Sequence, residues 1–263
     1  MHPVLFSIGR FNIIHSYGLM IAIGILVGLF VAWRQAKREG IDPNKIIDIT
    51  FYLLVSALIG SRLLFVLMNF HDYAADPIKI LKIWEGGLVF YGGLIPAAVI
   101  GIWYIKRLGL PLWQVTDIFA PAVVVGHAFG RIGCFLAGCC YGKPSTLPWA
   151  VTFTDPRSLA PRGIPLHPTQ LYSSLGLFAI FAVLIWLRKR KAFQGEIFWS
   201  YALMYSVFRF FIEFLRGDPR GSVLGGLLST TQAIGIPVAG ISVVMLLYLR
   251  KRGLKGKKGK GRR

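Results

Sequence analysis

Apolar runs of about the length of a membrane-spanning helix recur along the whole chain. A helix needs roughly 20 apolar residues to cross the hydrocarbon core of a bilayer. Seven segments approach that length: Tyr17–Trp33, Ile49–Met68, Gly87–Ile105, Asp117–Leu136, Tyr172–Leu187, Glu196–Leu215 and Leu227–Leu249. The pattern predicts an all-α integral membrane protein, a bundle of seven transmembrane helices. A β-barrel is set aside, because these runs are continuously apolar and do not alternate.

The apolar pattern predicts a single membrane domain over residues 1–253, followed by a basic tail of low complexity over residues 254–263. We expect this tail to be disordered and cytoplasmic. Composition agrees with the membrane class, since 55% of residues are hydrophobic, 16% are charged and the mean hydropathy is +0.60. Residues 1–16 contain one basic residue and no small-residue cleavage pattern follows them, so we expect the first helix to stay attached.

The net charge of +19 is explained by topology better than by a nucleic-acid partner. Nineteen of the thirty Lys and Arg residues lie in the loops after the first, third and fifth helices and in the final basic segment. Loops rich in Lys and Arg face the cytoplasm. The amino terminus is therefore predicted to be periplasmic and the carboxyl terminus cytoplasmic, and we expect an active site that faces outward.

Two arginines, Arg131 and Arg209, lie inside apolar segments. A guanidinium at bilayer depth costs at least about 2.5–3.5 kcal/mol, so the two predict a polar cavity with an anionic ligand. His127 and Cys134 lie one turn on either side of Arg131, on the same helix face. Glu213 follows Arg209 by four residues and is expected to orient it. The alternatives are a structural ion pair for Arg209, and for His127 a hydrogen bond to a neighbouring helix.

The segment Gly130–Gly142 contains four of the chain's glycines and all three of its cysteines. The glycines fit close helix packing, or a helix end that opens on a lipid headgroup site. Cys134, Cys139 and Cys140 lack the paired spacing of structural zinc sites, so we expect no metal. A disulfide from Cys134 to either of the others is possible in an oxidising compartment, and reduced thiols are the default.

The motif His167–Tyr172 is predicted to begin the fifth long helix. Pro168 suits the first helical position, and Thr169 is expected to cap the helix with its hydroxyl group. His167 and Gln170 are candidates for contact with a lipid headgroup.

A third arginine in an apolar run, Arg62, has two interpretations. It contributes to a lipid site, or it forms an ion pair with Glu85 or Asp117. Tyr17, at a predicted membrane interface, fits a substrate site or an ordinary aromatic belt.

Six motifs, taken in order, resemble those of the bacterial prolipoprotein diacylglyceryl transferases. They are His15–Met20, Gly60–Leu63, Trp84–Leu94, Gly130–Gly142, His167–Tyr172 and Phe208–Phe214. The resemblance implies a multi-pass enzyme of the bacterial inner (cytoplasmic) membrane that takes the diacylglyceryl group from phosphatidylglycerol. The acceptor is the lipobox cysteine thiol of a prolipoprotein, and glycerol 1-phosphate is released in this first step of lipoprotein maturation. No metal or organic cofactor and no particular oligomeric state are implied.

The resemblance also assigns roles to individual residues. Arg131 should bind the lipid phosphate, while Arg209, supported by Glu213, should hold the leaving phosphate. Further substrate-binding positions are Tyr17, Gly92, Gly93, Gly130 and Gly142.

The chain departs from the usual family pattern at three positions. Tyr91 stands where a histidine is expected, and a phenol with a pKa near 10 is a poorer base and a better hydrogen-bond donor. Cys134 and Cys139 replace the usual Asn and Glu. We therefore hypothesise that His127 takes over part of the proton transfer. The competing function is a transporter or channel for an anion, in which Arg131 and Arg209 would line the path.

Overall fold

The computed structural model describes residues 3–8, 11–74, 76–218, 221–223 and 227–260. Its α-helices are α1 (Ser16–Arg38), α2 (Pro43–Met68), α3 (Phe70–Ala74), α4 (Phe90–Arg107), α5 (Leu112–Ala137), α6 (Thr169–Arg188), α7 (Glu196–Glu213) and α8 (Thr230–Lys260). Short 3-10 helices cover Pro77–Leu81 and Ile83–Glu85. Three antiparallel hairpins pair β1 (Val4–Ile8) with β2 (Phe11–His15), β3 (Val151–Thr152) with β4 (Pro165–Leu166), and β5 (Ser222–Val223) with β6 (Leu228–Ser229).

Each of the seven predicted apolar segments coincides with one long helix. Five of these helices, α1, α2, α5, α6 and α8, are long and apolar enough to cross a membrane. The other two have 18 residues each, so their full length includes charged residues: Lys106 and Arg107 in α4, and Glu196, Arg209 and Glu213 in α7. The chain is thus a helical, multi-pass membrane protein, while the count of seven spans and the orientation of the termini stay predictions.

The chain divides into two compact units. The small unit is Trp33–Val115, and the large unit combines Met1–Ala32 with Thr116–Arg263. Both α1 and α5 contribute residues to each unit. The prediction of one domain over residues 1–253 stays a prediction. Helix α8 is described as far as Lys260, so the predicted tail lies partly within this helix, and its residues 261–263 lie outside the described residues.

In the small unit, α2 packs closely against α4 through glycines. A Cβ atom added to Gly92 would lie 2.7 Å from the carbonyl oxygen of Gly60, and one added to Gly93 would lie 3.0 Å from that of Ala57. The first distance is too short for any side chain, and the second is tighter than most side-chain contacts. Glycine is therefore required at Gly92 and favoured at Gly93, as small residues are between membrane helices.

In the large unit, the core lies between α5, α6 and α7. Its buried members are Ala120, Val124, Ala128, Leu177, Ile180, Leu184 and Ile197. The buried carboxylate of Asp117 on α5 accepts hydrogen bonds from the backbone nitrogens of Gly195 at 2.7 Å and Phe198 at 2.9 Å. It also pairs with Lys191 at 3.0 Å. Because no side chain of its own caps α7, this carboxylate supplies the missing acceptor at the helix start.

Candidate functional site

Arg131 and His127 are directly bonded on one face of α5. The Nε atom of Arg131 donates a hydrogen bond to Nε2 of His127 at 3.1 Å. The imidazole ring lies against Tyr205 of α7, with ring centroids 5.4 Å apart. An imidazole nitrogen that accepts a hydrogen bond carries no proton, so the neutral ring holds its proton on Nδ1. The predicted common face is confirmed, and His127 fixes the orientation of the guanidinium.

Arg209 and Glu213 form the ion pair expected from their spacing on α7. Arg209 is buried, and burial strengthens the attraction while making either charge costly to leave alone. His127 lies within electrostatic range of both Arg131 and Arg209. The two guanidiniums thus come from different helices of the large unit, and both lie near one imidazole.

The loop that follows α5 is fastened to the start of α6 and to the end of α7. Three backbone hydrogen bonds do this: Gly142 N to His167 O at 3.1 Å, Lys143 N to Leu215 O at 2.9 Å, and Gly217 N to Tyr141 O at 3.1 Å. A Cβ atom on Gly142 would lie 2.5 Å from the carbonyl oxygen of His167. Glycine is therefore required at Gly142 by this close approach, whatever its part in binding substrate.

Two side chains of α6 also hold this loop. The Thr169 hydroxyl donates to the carbonyl oxygen of Cys140 at 3.0 Å, and Nε2 of Gln170 donates to that of Cys139 at 2.8 Å. The predictions that Thr169 caps α6 and that Pro168 is its first residue were wrong: α6 begins at Thr169, and no side chain caps it. The hydroxyl instead donates to a carbonyl group in a loop that is distant in sequence. The sequence pattern does not reveal such a contact.

Two buried polar atoms in this region have no hydrogen-bond partner in the described part of the chain: Oε1 of Gln170 and Nδ1 of His167. Most buried polar groups are hydrogen-bonded, so each such atom calls for a partner from water or a ligand. Both residues belong to the motif that the sequence associates with a headgroup. Their roles stay predictions.

The three cysteines meet at the end of α5, and none of them forms a disulfide. Their sulfur atoms all lie within 4.8 Å of one another. Hydrogen bonds with the thiols of Cys134 and Cys139, reinforced by the Arg216 guanidinium, hold the pKa of Cys140 below its ordinary value. The same sharing of protons raises the pKa of Cys139.

Arg216 is a buried cation that the sequence analysis did not select. Its Nε and NH2 atoms donate to the two carboxylate oxygens of Asp218 at 2.9 and 2.8 Å, and its side chain is also hydrogen-bonded to Cys140. The available signal was its position three residues after Glu213. Because Asp218 lies beyond the end of α7, helical spacing could not identify it as the partner.

Two further predicted positions lie where α1 meets α5. A Cβ atom on Gly133 would lie 3.2 Å from the Tyr17 ring, and one on Gly130 would lie 3.3 Å from Ile21. Tyr17 therefore packs beside the glycine-rich turn of α5 while 44% of its surface stays exposed. This arrangement agrees with helix packing, and the substrate-binding roles of Tyr17 and Gly130 stay predictions.

Arg62 belongs to the small unit and is buried. Its Nε donates to the carbonyl oxygen of Ile80 at 2.9 Å, and its terminal nitrogens donate to those of Gly86 and Lys79, each at 2.6 Å. These bonds fasten the segment before α4 and satisfy the guanidinium without a carboxylate. Asp117, one of its two proposed partners, pairs with Lys191. A part for Arg62 in lipid binding stays a prediction.

Tyr91, the residue that stands in place of the expected histidine, also lies in the small unit. It occupies the first turn of α4 and is 45% exposed, next to the buried Gly92 and Gly93. The close packing of these glycines on α2 is sufficient reason for their presence. Their roles in substrate binding, and that of Tyr91 in catalysis, stay predictions.

Comparison with known proteins gives one consistent result. The sequence model of a family described as prolipoprotein diacylglyceryl transferase matches residues 3–248. A phosphatidylglycerol–prolipoprotein diacylglyceryl transferase of Clostridium tetani is 38% identical over 254 residues, which is 96% of this chain and 100% of that protein. A second such transferase, numbered 2, from Clostridium perfringens is 37% identical over 249 residues, 94% of each chain. One from Bacillus cereus is 35% identical over 259 residues, 97% of this chain and 94% of the relative. These names give no support to the transporter alternative.

Proposed function

Because this chain belongs to the prolipoprotein diacylglyceryl transferase family, we propose that it transfers the diacylglyceryl group of phosphatidylglycerol to a prolipoprotein. The acceptor is the thiol of the lipobox cysteine, and glycerol 1-phosphate is the second product. The donor and acceptor classes are those printed in the names of the relatives. The observation that carries the proposal is the pair of guanidiniums, Arg131 and Arg209, that both lie within electrostatic range of His127.

The reaction exchanges one bond for another at a glycerol carbon of the lipid. The acceptor sulfur attacks the carbon that bears the phosphate ester, and the new carbon–sulfur bond forms as the carbon–oxygen bond breaks. The leaving oxygen keeps the electron pair, so negative charge grows on a phosphate monoester. Fixed cations aimed at such a charge lower the barrier, particularly where water is excluded.

The two arginines have different roles in binding the phosphate. Arg131, oriented by the hydrogen bond to His127, binds the phosphate of the incoming lipid. Arg209, held by Glu213, stabilises the phosphate as it leaves. In the large unit, Tyr17, Gly130, Gly142, His167 and Gln170 are the further proposed substrate-binding residues. In the small unit, Arg62, Gly92 and Gly93 are proposed to bind substrate and Tyr91 is proposed to act in catalysis.

Removing the proton from the acceptor thiol requires less help than in most nucleophilic reactions. An ordinary thiol has a pKa near 8.5, so a few per cent is already thiolate at neutral pH, and nearby cations increase that share. In this scheme Tyr91 acts as a hydrogen-bond donor and not as a base. His127 serves first to position Arg131, since its Nε2 atom already accepts a hydrogen bond.

We further propose that all seven long helices cross the bacterial inner membrane. The amino terminus is periplasmic and the carboxyl terminus cytoplasmic, as the basic loops favour. This orientation puts the loop after α5, and with it the substrate site, on the side where secreted prolipoproteins emerge.

The test is a transfer assay with purified protein in detergent, labelled phosphatidylglycerol and a lipobox peptide. We expect the label to move to the peptide, and to be absent when the peptide cysteine is replaced by serine. Arg131→Ala should lower transfer at least about a hundredfold, the usual effect of losing one donor to a developing anion. The matched control is Arg157→Ala, which removes an arginine from an ion pair at the surface. Absence of transfer by folded wild-type protein would refute the proposal.

A further inference from the structure

The three cysteines lie close enough together to form a metal site. Their spacing in the sequence alone does not indicate one. Cys134 lies in the last turn and a half of α5, while Cys139 and Cys140 follow the helix end. The turn after α5 brings the three sulfur atoms within 4.8 Å of one another. Within the described part of the chain, these cysteines are the one group of three His, Cys, Asp or Glu residues whose ligand atoms lie close enough to share a metal ion.

The backbone that carries these thiols is held in place from several directions. Gln170 and Thr169 donate hydrogen bonds to the carbonyl oxygens of Cys139 and Cys140. Cys140 has a φ of 62°, and it is the one non-glycine residue with positive φ in the described part of the chain. Such a conformation costs roughly 1 kcal/mol or more for a residue with a Cβ, and it persists where the surroundings impose it and often where function uses it.

The chemistry of three thiols selects a soft cation. Zinc binds thiolate sulfur at about 2.3 Å, which puts the sulfurs of a tetrahedral site roughly 3.8 Å apart. The observed spacing needs to contract by no more than about an ångström to reach that geometry. Three protein ligands leave a fourth position for an exchangeable ligand, as in catalytic zinc sites.

The surrounding charges also suit such a site. A divalent cation with three thiolates carries one net negative charge. The guanidiniums of Arg131 and Arg216 lie within electrostatic range of Cys140, and Arg216 is hydrogen-bonded to it. These cationic neighbours balance the negative charge of the occupied site. Cys139 and Cys140 are only partly buried, so an ion has access to them.

We propose that Cys134, Cys139 and Cys140 together bind one soft divalent cation of the zinc class through three thiolates, with the fourth position open. The site goes beyond the proposed transfer reaction and can be established without measuring it. It fastens the end of α5 to the loop that α6 and α7 also hold. It also sets a metal ion next to the arginine that is proposed to bind the lipid phosphate.

The experiment uses the full chain, without a polyhistidine tag, purified in detergent under anaerobic and reducing conditions. The metal content of the purified protein is measured by mass spectrometry. Metal-free protein is then titrated with Co²⁺ and afterwards with Zn²⁺. We expect one ion per chain, thiolate-to-cobalt charge-transfer absorption, and loss of that absorption when zinc displaces cobalt.

Each of Cys134→Ser, Cys139→Ser and Cys140→Ser should weaken binding by more than about tenfold, since even residues that only support a ligand have effects of this size. Ser145→Ala, on the same loop, should bind as wild type does. Thermal unfolding of each metal-free variant identifies any that fail to fold, and the other two then decide. Absence of binding by fully reduced wild type, unchanged binding in folded cysteine variants, or a disulfide that forms under these conditions in place of a metal complex would overturn the proposal. Since no transfer is measured, failure here leaves the proposed reaction intact.

Discussion

The Nε atom of Arg131 lies 3.1 Å from Nε2 of His127, one helical turn away, and donates a hydrogen bond to it. This bond uses the nitrogen lone pair that a general base would need. The same histidine rests on Tyr205 of α7, so the orientation of Arg131 depends on two helices. The sequence offered His127 a hydrogen bond to a neighbouring helix or a part in proton transfer, and the structure adds a third role, the positioning of Arg131.

Replacing His127 should therefore affect lipid binding more than proton transfer. His127→Leu removes the acceptor, and we expect kcat/KM for phosphatidylglycerol to fall between about tenfold and a hundredfold, the range for a hydrogen bond to a charged group. His127→Gln keeps an acceptor on the side chain and should recover part of the loss. Rates measured across pH test the alternative: a base would leave both variants without the rising limb of the wild-type profile, whereas a positioning residue leaves the profile unchanged in shape.

Glu213 should act only through Arg209. Arg209→Ala is expected to lower kcat by about 10²–10³, as loss of one fixed donor to a developing anion does. Glu213→Ala should lower it less, because the guanidinium remains but loses its support. The double variant should be no slower than Arg209→Ala alone. If the two losses multiply in the double variant, Glu213 has an independent part in the reaction.

Asp117 should contribute to stability and not to chemistry. Its carboxylate ties Lys191 and the first turn of α7 to α5. Asp117→Ala leaves these groups without a partner, and we expect a loss of about 2 kcal/mol, seen as a lower midpoint of thermal unfolding in detergent. Asp155→Ala is the control, because its ion pair with Arg157 lies at the surface. Equal midpoints for the two variants would contradict this assignment.

The positive φ of Cys140 predicts opposite effects of glycine at two adjacent positions. In metal-free protein, Cys140→Gly should be more stable than Cys140→Ala by about 1 kcal/mol, because glycine adopts this conformation without strain. At Cys139 the order should reverse, since glycine there only adds freedom to the unfolded chain. Comparing each glycine variant with its alanine counterpart removes the effect of losing the thiol. Equal or greater stability of Cys140→Ala relative to Cys140→Gly would show that the backbone at Cys140 is unstrained.

The sequence predicted most of what depends on spacing along one helix. Continuous apolar runs located the seven long helices, and the interval of four residues placed His127 beside Arg131 and Glu213 beside Arg209. Prediction from the sequence failed where a side chain forms hydrogen bonds with a part of the chain that is distant in sequence. Thr169 donates to the carbonyl of Cys140 and does not cap its own helix, and Arg62 is satisfied by carbonyl groups instead of a carboxylate. Such contacts depend on the tertiary fold, and no local pattern encodes them.

The cysteine cluster was missed for a related reason. Zinc motifs are recognised by paired spacing, and Cys139 and Cys140 follow Cys134 across the end of a helix. Their meeting depends on a turn in which Cys140 takes a left-handed conformation that its residue type does not favour. The sequence therefore identified the residues but not their arrangement.

The loop after α5 is held to its neighbours mainly by peptide groups, at Gly142, Lys143 and Gly217. Hydrogen bonds between peptide groups form with most residue types, because every residue except proline offers the same backbone donor and acceptor. The chemistry displayed on the loop can therefore be exchanged during evolution while its course stays the same. This accounts for how Cys139 can occupy a position where the resemblance leads us to expect a carboxylate. It also makes the loop a suitable place to engineer a new reactivity into the enzyme without redesigning its scaffold.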